Sequence, residues 1–320
     1  MQTPVGAAGG GFTLTSTAGQ ARHEAMSQSP TPEALVSGLL RLLDLDTAGD
    51  DRFIGHNRPD GRGRMFGGQV IAQALVAAER TVGEDRPVHS LHAYFLRGGN
   101  EAQGVDLSVL RDLDGGSFAN RRVVASQGET PILTMVASFH RREAGVSHAN
   151  PMPDVPDPDD LPDEAGLRAQ FADRIPADRR EVMLRLRPIE QRPAEARHWM
   201  NPEPREARSH TWFRTAAPLP DDPRVHRAVL AYASDMSLLG TCTLPHGLSW
   251  IMGNVMGVSL DHAVWFHDHF RADEWLLYAC DSPWAGNARG FNRGQIFTRD
   301  GRHVASVAQE GLIRPILPRD

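Results

Sequence analysis

The chain contains no lysine, so all 34 of its basic residues are arginines. The absence of lysine excludes Schiff-base catalysis, a phosphate-binding P-loop and a Ser-Lys catalytic dyad. Cysteine is scarce as well, since Cys242 and Cys280 are the two in the chain and they form no CxxC motif. A disulfide framework and a cysteine-based zinc site are therefore not expected, and a reducing compartment fits the composition.

Long apolar runs are also missing, and no segment approaches the length that spans a bilayer. The N-terminus lacks the basic and then apolar pattern of a signal peptide. The net charge is -6 and no long basic run occurs, so nucleic acid is not an expected partner. We therefore expect a cytoplasmic protein that interacts with neither nucleic acid nor a membrane.

The sequence contains an internal repeat, because each half has an apolar helix followed by a series of strand-like runs. The pattern SLHA at 90–93 recurs as SLDHA at 259–263, and QGETPIL at 127–133 corresponds to RDGRHVA at 299–305. A helix followed by an antiparallel meander, given twice, indicates a tandem duplication in the α+β class.

Composition divides the 320 residues further. Residues 1–30 are rich in Gly, Ala, Ser and Thr and are predicted to be a disordered tail. Residues 31–145 form the first half, and residues 146–180, which are rich in proline and aspartate, are predicted to be a linker. Residues 181–316 form the second half.

The helix predicted to run from Arg224 to Gly240 contains one acid, Asp235, within an apolar surrounding. Apolar residues recur there at three- and four-residue spacing, so the helix is predicted to be buried. A buried acid loses hydration and needs a partner or a chemical role. The helix pattern alone leaves both interpretations open. The first-half helix has no acid before Glu79, which suggests one working site per chain.

Histidines cluster at His262, His267 and His269, next to Asp268. On a strand, His267 and His269 share a face while His262 points away. A metal site with three histidine ligands is therefore not expected.

Five segments in register resemble the acyl-CoA thioesterase II family over about residues 34 to 315. They are FGGQVIAQAL (66–75), VHSLHAYFLRGG (88–99), YASDMSLL (232–239), SLDHAVWFH (259–267) and ASVAQEGLIR (305–314). The resemblance implies a double hotdog fold, in which each half is a long helix wrapped by an antiparallel sheet. It also implies hydrolysis of fatty acyl-CoA to free fatty acid and CoA.

Carried over by motif, the catalytic residues that the resemblance implies are Asp235, Ser259 and Gln309. We expect Asp235 to activate a water that Ser259 and Gln309 hold, with no cofactor and no metal. The backbone N–H groups of the helix that starts at 67–69 are candidate donors to the oxyanion. His89 falls on a recurring family position, and we expect its role to be structural. By analogy with other hotdog proteins, we expect a homo-oligomer.

Two alternatives differ in class. A hotdog hydratase or dehydratase acting on enoyl-CoA usually uses an Asp/His pair on one segment, whereas Met236 follows Asp235 here. A non-catalytic acyl-CoA-binding protein is the other alternative, and it would have no use for the complete Asp/Ser/Gln set.

Overall fold

The computed structural model describes residues 1, 29–59, 63–195 and 202–316. The tail predicted to be disordered, residues 1–30, lies outside the described residues apart from residues 1, 29 and 30. The helices are α1 (Pro32–Leu43), α2 (Gly67–Glu79), α3 (Glu164–Gln170), α4 (Ala177–Leu184) and α5 (Pro223–Ser234). The first-half strands are β1 (Leu45–Gly49), β2 (Arg52–Gly55), β3 (Val88–Phe95), β4 (Val105–Asp114), β5 (Phe118–Gln127) and β6 (Thr130–His140). The second-half strands are β7 (Ile189–Pro193), β8 (Arg208–Thr215), β9 (Val255–Ser259), β10 (Asp261–Phe266), β11 (Leu276–Gly286), β12 (Arg289–Thr298) and β13 (His303–Pro315).

Within the described residues, these 13 strands form one antiparallel sheet in the order β1-β2-β4-β5-β6-β3-β10-β13-β12-β11-β8-β7, with β9 added beside β13. The two halves meet where β3 pairs with β10, in a register that places Ala93 opposite His262. Each half contributes its strands to one side of this junction. No helix among the described residues is long and apolar enough to span a membrane.

Helices α2 and α5 lie against the sheet and pack side by side in opposite directions. The start of α2 touches the end of α5, because a Cβ added at Gly68 would lie 2.4 Å from the carbonyl oxygen of Tyr232. At the other end, Glu79 of α2 pairs with Arg227 of α5 at 2.7 Å. The faces of both helices belong to one apolar core shared with the sheet. Burial of that core holds the start of α2 beside the end of α5.

The helix predicted from Arg224 to Gly240 is wrong at its C-terminal end, since α5 stops at Ser234. Two carbonyl groups of its last turn accept hydrogen bonds from side chains. The Ala231 carbonyl accepts from the Ser234 hydroxyl at 3.0 Å, and the Ser234 carbonyl accepts from the Tyr278 phenol at 3.0 Å. A 3₁₀ segment at 238–246 follows.

Two segments that are rich in polar residues also contribute strands to the sheet. The segment before Arg64 contains β1 and β2, which pair with each other and extend the sheet beyond β4. Strand β7 is short, because α4 (Ala177–Leu184) precedes it and the strand begins only at Ile189. Burial alternates along β7, so one face of this strand packs inward even though the strand is rich in polar residues.

Candidate active site

The side chain of Gln309, on β13, is fully buried and contacts three other polar side chains. Its amide nitrogen Nε2 lies 2.6 Å from Oδ1 of Asp235 and 3.0 Å from Oγ of Ser259. The same nitrogen lies 3.1 Å from Nδ1 of His262. The structure thus brings together the three residues taken from the motifs, and it adds a histidine that the sequence placed outside the site.

Asp235 is the C-cap that follows the last residue of α5, so its expected position inside a helix is wrong. Its side chain is nevertheless only 6% exposed. Burial raises the pKa of this carboxyl from 3.8 to about 6, and hydrogen bonds from Gln309, the Gly68 N–H and Ser259 oppose the rise. A carboxylate with such a pKa is ionised at neutral pH and is a stronger base than an exposed aspartate.

The start of α2 supplies part of the environment of Asp235. The Gly68 N–H bonds the Asp235 carboxylate, and the Gln69 N–H donates to the Phe66 carbonyl at 3.1 Å. Both groups were candidate oxyanion donors, and both have partners within the protein. The positive end of the α2 dipole faces the carboxylate of the other half, which favours its ionised form.

Glycine is required at this contact between the two helices. A Cβ at Gly67 would lie 2.7 Å from Oδ2 of Asp235, and a Cβ at Gly68 would lie 2.4 Å from the Tyr232 carbonyl oxygen. Both distances are shorter than any ordinary contact, so the paired glycines let the α2 backbone approach the carboxylate. This explains in physical terms why a Gly-Gly pair opens α2.

A break at Leu260 decides which side chains share the face of Gln309. Ser259 of β9 lies opposite Gly311, whereas Ala263 of β10 lies opposite Ala308, so the register on β13 shifts by one residue across the break. The Leu260 N–H still donates to the Glu310 carbonyl at 2.9 Å. Because of the extra residue, Ser259 and His262 both face Gln309 although they are three positions apart.

The break changes which side chains share a face of the strand. On a continuous strand from 257 to 267, Ser259 would share its face with Asp261, Ala263 and Trp265 and not with His262. The structure instead buries His262 completely on the inner face. The alternation of side chains along a strand predicts which residues share a face only while the strand is unbroken.

His262 links the site to the end of α5. Its Nε2 lies 2.8 Å from Oγ of Ser234, and its Nδ1 lies 3.1 Å from Nε2 of Gln309. Burial lowers the pKa of His262 to about 3, so the ring is neutral. Its Nδ1 is 3.9 Å from Oδ1 of Asp235, and the neutral ring forms no ion pair with that carboxylate.

Asp235 and Ser259 line a cavity of about 370 Å³. Apolar side chains of both halves form much of its wall, among them Phe95 and Val258, and two arginines, Arg64 and Arg97, also line it. Within the described residues, no group of three His, Cys, Asp or Glu side chains is placed to hold a metal ion. The cavity therefore joins a buried carboxylate to an apolar wall and positive charge.

The two halves differ at the position of the acid. Asp235 follows the last residue of α5, whereas Arg80 is the corresponding residue after α2. Arg80 donates to the Leu45 carbonyl at 2.5 Å and to Asp44 at 2.6 Å. The end of α2 therefore carries a surface-paired cation where the end of α5 carries a buried acid.

Sequence reasoning missed His262, Ser234 and the contact from Gly68. The signal for His262 was present, because a polar residue in an otherwise apolar run needs a buried partner. That signal favours a hydrogen-bond partner, which is Gln309, over a metal ion. His89 contacts Ser138 at 2.9 Å on the neighbouring strand, away from Asp235.

The fold of the chain is similar to that of solved structures. A hot dog fold protein from Alicyclobacillus acidocaldarius aligns with a TM-score of 0.71 at 18% identity, over 88% of this chain and 99% of that one. The crystal structure of the acyl-CoA thioesterase II TesB2 from Mycobacterium marinum aligns with a TM-score of 0.71 at 40% identity, over 87% of this chain and 98% of that one. The chain is an α+β double hotdog protein, and this prediction is confirmed.

Sequence comparison gives the family. The acyl-CoA thioesterase family model matches residues 182–312, and the acyl-CoA thioesterase N-terminal domain matches residues 57–140. Human acyl-coenzyme A thioesterase 8 is 39% identical over 88% of this chain and 89% of its own length. Haemophilus influenzae acyl-CoA thioesterase 2 is 36% identical over 88% of this chain and 98% of its own length. The chain belongs to the acyl-CoA thioesterase II family, which confirms the resemblance, and it is an enzyme of the thioester hydrolase class.

Proposed function

We propose that the chain hydrolyses fatty acyl-CoA to free fatty acid and CoA, with Asp235 as the general base. The observation that supports this most directly is the buried Asp235 carboxyl, whose pKa is raised to about 6 and which lines a cavity. At neutral pH such a group is ionised and can take a proton from an attacking water. Attack on the thioester carbon then releases the CoA thiolate, which is a good leaving group.

In this scheme Gln309 and Ser259 hold the carboxylate and the water in place. Gln309 contacts both Asp235 and Ser259 through its amide nitrogen. Ser259 also bonds Asp235, which opposes the rise of its pKa. Neutral groups suit this task because they orient the water without removing the charge of the base. Of the three α2 amides first considered, the Gly67 N–H is the one we assign to the oxyanion.

The wall of the cavity suits a substrate with an apolar and an anionic end. Phe95 and Val258 offer apolar surface to the acyl chain, whereas Arg64 and Arg97 offer charge to the phosphates of CoA. Arg64 is exposed, so it can reach a group at the mouth of the cavity. We therefore assign the acyl group to the interior and the nucleotide to the surface.

The test is CoA release from acyl-CoAs of increasing chain length, comparing the native protein with Asp235→Asn. We expect a fall in kcat of about 10²-fold or more for the variant. Asp261→Asn is the matched control, because an asparagine can keep accepting the Glu310 N–H at this half-buried position outside the cavity wall. Activity of the native protein should also decrease as the pH falls through about 6, because protonated Asp235 cannot act as a base.

A folded Asp235→Asn variant that retains more than about a tenth of the native kcat would exclude Asp235 as the base. A protein blank is needed in assays with thiol reagents, since the chain has two cysteines, both buried. If the native protein binds acyl-CoA without releasing thiol, hydrolysis itself fails as the proposal, and hydration of enoyl-CoA is measured next.

A further inference from the structure

The contacts with Asp235 and Ser259 do not by themselves fix the orientation of the Gln309 amide throughout the reaction. An ionised carboxylate attracts the NH₂ side of the amide, so Nε2 faces Oδ1 of Asp235 at 2.6 Å. Once Asp235 takes a proton, its O–H can donate a hydrogen bond to the carbonyl oxygen of the amide, so the rotated amide also fits beside it. A second, constant acceptor beside Gln309 would prevent that rotation.

His262 is placed to be that acceptor. The Ser234 hydroxyl donates to the Ala231 carbonyl at 3.0 Å, so its oxygen is left to accept the proton on Nε2 of His262 at 2.8 Å. A neutral imidazole with its proton on Nε2 presents a lone pair at Nδ1. That lone pair faces Nε2 of Gln309 at 3.1 Å, where an amide oxygen would be repelled.

The first half of the chain shows that the fold does not need a polar pair at this position. The repeat makes Leu133 equivalent to Ala305, and counting onward from them makes Ala137 of β6 equivalent to Gln309 of β13. The register of β10 against β13 places His262 opposite Gln309, so its structural counterpart is the residue opposite Ala137, although the SLHA and SLDHA patterns alone would align His92 with it. Leu91 of β3 lies opposite Ala137, and both side chains are fully buried. An aliphatic pair fills this place in the half whose helix ends in Arg80. The polar pair of His262 and Gln309 therefore occurs in the half that carries Asp235, and packing of the sheet does not require it.

We propose that His262, held in its Nε2-protonated tautomer by Ser234, is a positioning residue that accepts one proton of the Gln309 amide and thereby keeps the other directed at Asp235 throughout the reaction. This inference rests on the proposed function for its consequence in catalysis, although the tautomer itself does not. His262 acts through Gln309, because its ring is fully buried and is not among the residues that line the cavity.

Loss of the contact between His262 and Gln309 should also change the pKa of the proposed base, Asp235. The Gln309 hydrogen bond lowers the pKa of Asp235 against the effect of burial. The ionisable groups around Asp235 are His262 of β10 and Tyr278 of β11, together with Arg64 and Arg97 on the cavity wall. His262 and Tyr278 are neutral near pH 6, since burial lowers the pKa of the first and raises that of the second. A freely rotating Gln309 should therefore move the acid limb of the kcat/KM profile to higher pH.

The first experiment is ¹⁵N nuclear magnetic resonance of the intact protein with labelled histidine, followed between pH 5 and pH 8. We expect His262 to remain neutral with the proton on Nε2 over this range. Ser234→Ala should increase the population of the other tautomer. A native His262 protonated on Nδ1, or doubly protonated near pH 6, would overturn the inference whatever the activity of the enzyme.

The second experiment compares His262→Leu, which copies Leu91, with His262→Asn, whose side-chain oxygen can take the place of Nδ1. We expect kcat to fall about 10- to 100-fold in His262→Leu with little change of KM, and the acid limb to move upward. His262→Asn should restore most of kcat and the native pH profile. If folded His262→Leu keeps the native kcat and profile, or if His262→Asn is as impaired as His262→Leu, the positioning role is wrong.

The two experiments separate the two proposals. A native protein that releases no CoA but shows the expected tautomer contradicts the proposed hydrolysis and leaves the orientation of Gln309 supported. If His262→Leu does not fold, the Ser234→Ala and His262→Asn variants decide the kinetic comparison.

Discussion

Replacement of Asp235 by asparagine should stabilise the fold at alkaline pH even though it removes the proposed base. Burial raises the pKa of Asp235 from 3.8 to about 6, so the folded chain holds this proton more tightly than the unfolded chain. The stability that a group of raised pKa contributes is present below the unfolded pKa and is lost as the pH rises through the folded pKa. Above pH 6 the ionised Asp235 therefore costs free energy that a neutral asparagine does not.

The magnitude follows from the two pKa values. A rise from 3.8 to about 6 corresponds to about 3 kcal/mol once the carboxyl is fully ionised in the folded state. At pH 5, between the two values, the cost is about 1.5 kcal/mol. The advantage of the asparagine variant should thus be about 1.5 kcal/mol larger at pH 8 than at pH 5. Changes in hydrogen bonding that do not depend on pH cancel in this difference.

The assay is urea unfolding of the native and Asp235→Asn proteins at both pH values, with the free energy of unfolding compared. Asp222→Asn is a control of opposite sign. Burial tends to raise the pKa of Asp222, but hydrogen bonds from the Arg224 side chain and backbone lower it overall. This control should lose nearly the same stability at pH 8 and at pH 5, because both values lie above the ordinary pKa of 3.8 and the stabilisation by ionised Asp222 is already complete at pH 5. If the gain in unfolding free energy of Asp235→Asn over the native protein is equal at both pH values, or larger at pH 5, folding does not raise the pKa of Asp235.

Two further predictions concern the contact between α2 and α5 and use thermal or urea unfolding. Gly68→Ala should cost about 2–4 kcal/mol, because its Cβ would lie 2.4 Å from the Tyr232 carbonyl oxygen. Gly116→Ala, where a Cβ meets open space, is the control, and equal losses in the two variants would contradict the close approach. Arg227→Met should cost about 3–5 kcal/mol, since it leaves the buried Glu79, whose pKa burial raises to about 7, without its partner. A second change, Glu79→Gln, should recover much of that loss, and no recovery would mean that Arg227 acts through packing alone.

The candidate site was predictable from the sequence to the extent that its residues lie within short motifs. An acid in an apolar segment stands out because its burial is unfavourable without a role. The repeat showed two copies of one unit, and the difference between the copies singled out the half that carries Asp235. His262 was visible as a polar residue among apolar ones, but its partner was not, because Gln309 lies 47 positions away.

The sequence by itself determined the class of fold and the order of most elements, because local patterns of apolar, turn and helix-start residues are short-range properties. The same patterns singled out Asp235 as an acid in an apolar segment, whereas Ser259 and Gln309 followed from the resemblance to the family. Only the tertiary structure decided that α5 ends at Ser234, since the phenol that bonds the Ser234 carbonyl belongs to Tyr278 of the distant strand β11. It also decided that Leu260 shifts the register and turns Ser259 and His262 to the same side of Gln309. The pKa of Asp235 depends on burial beneath the start of α2, and burial arises from packing between distant segments, which no local pattern encodes.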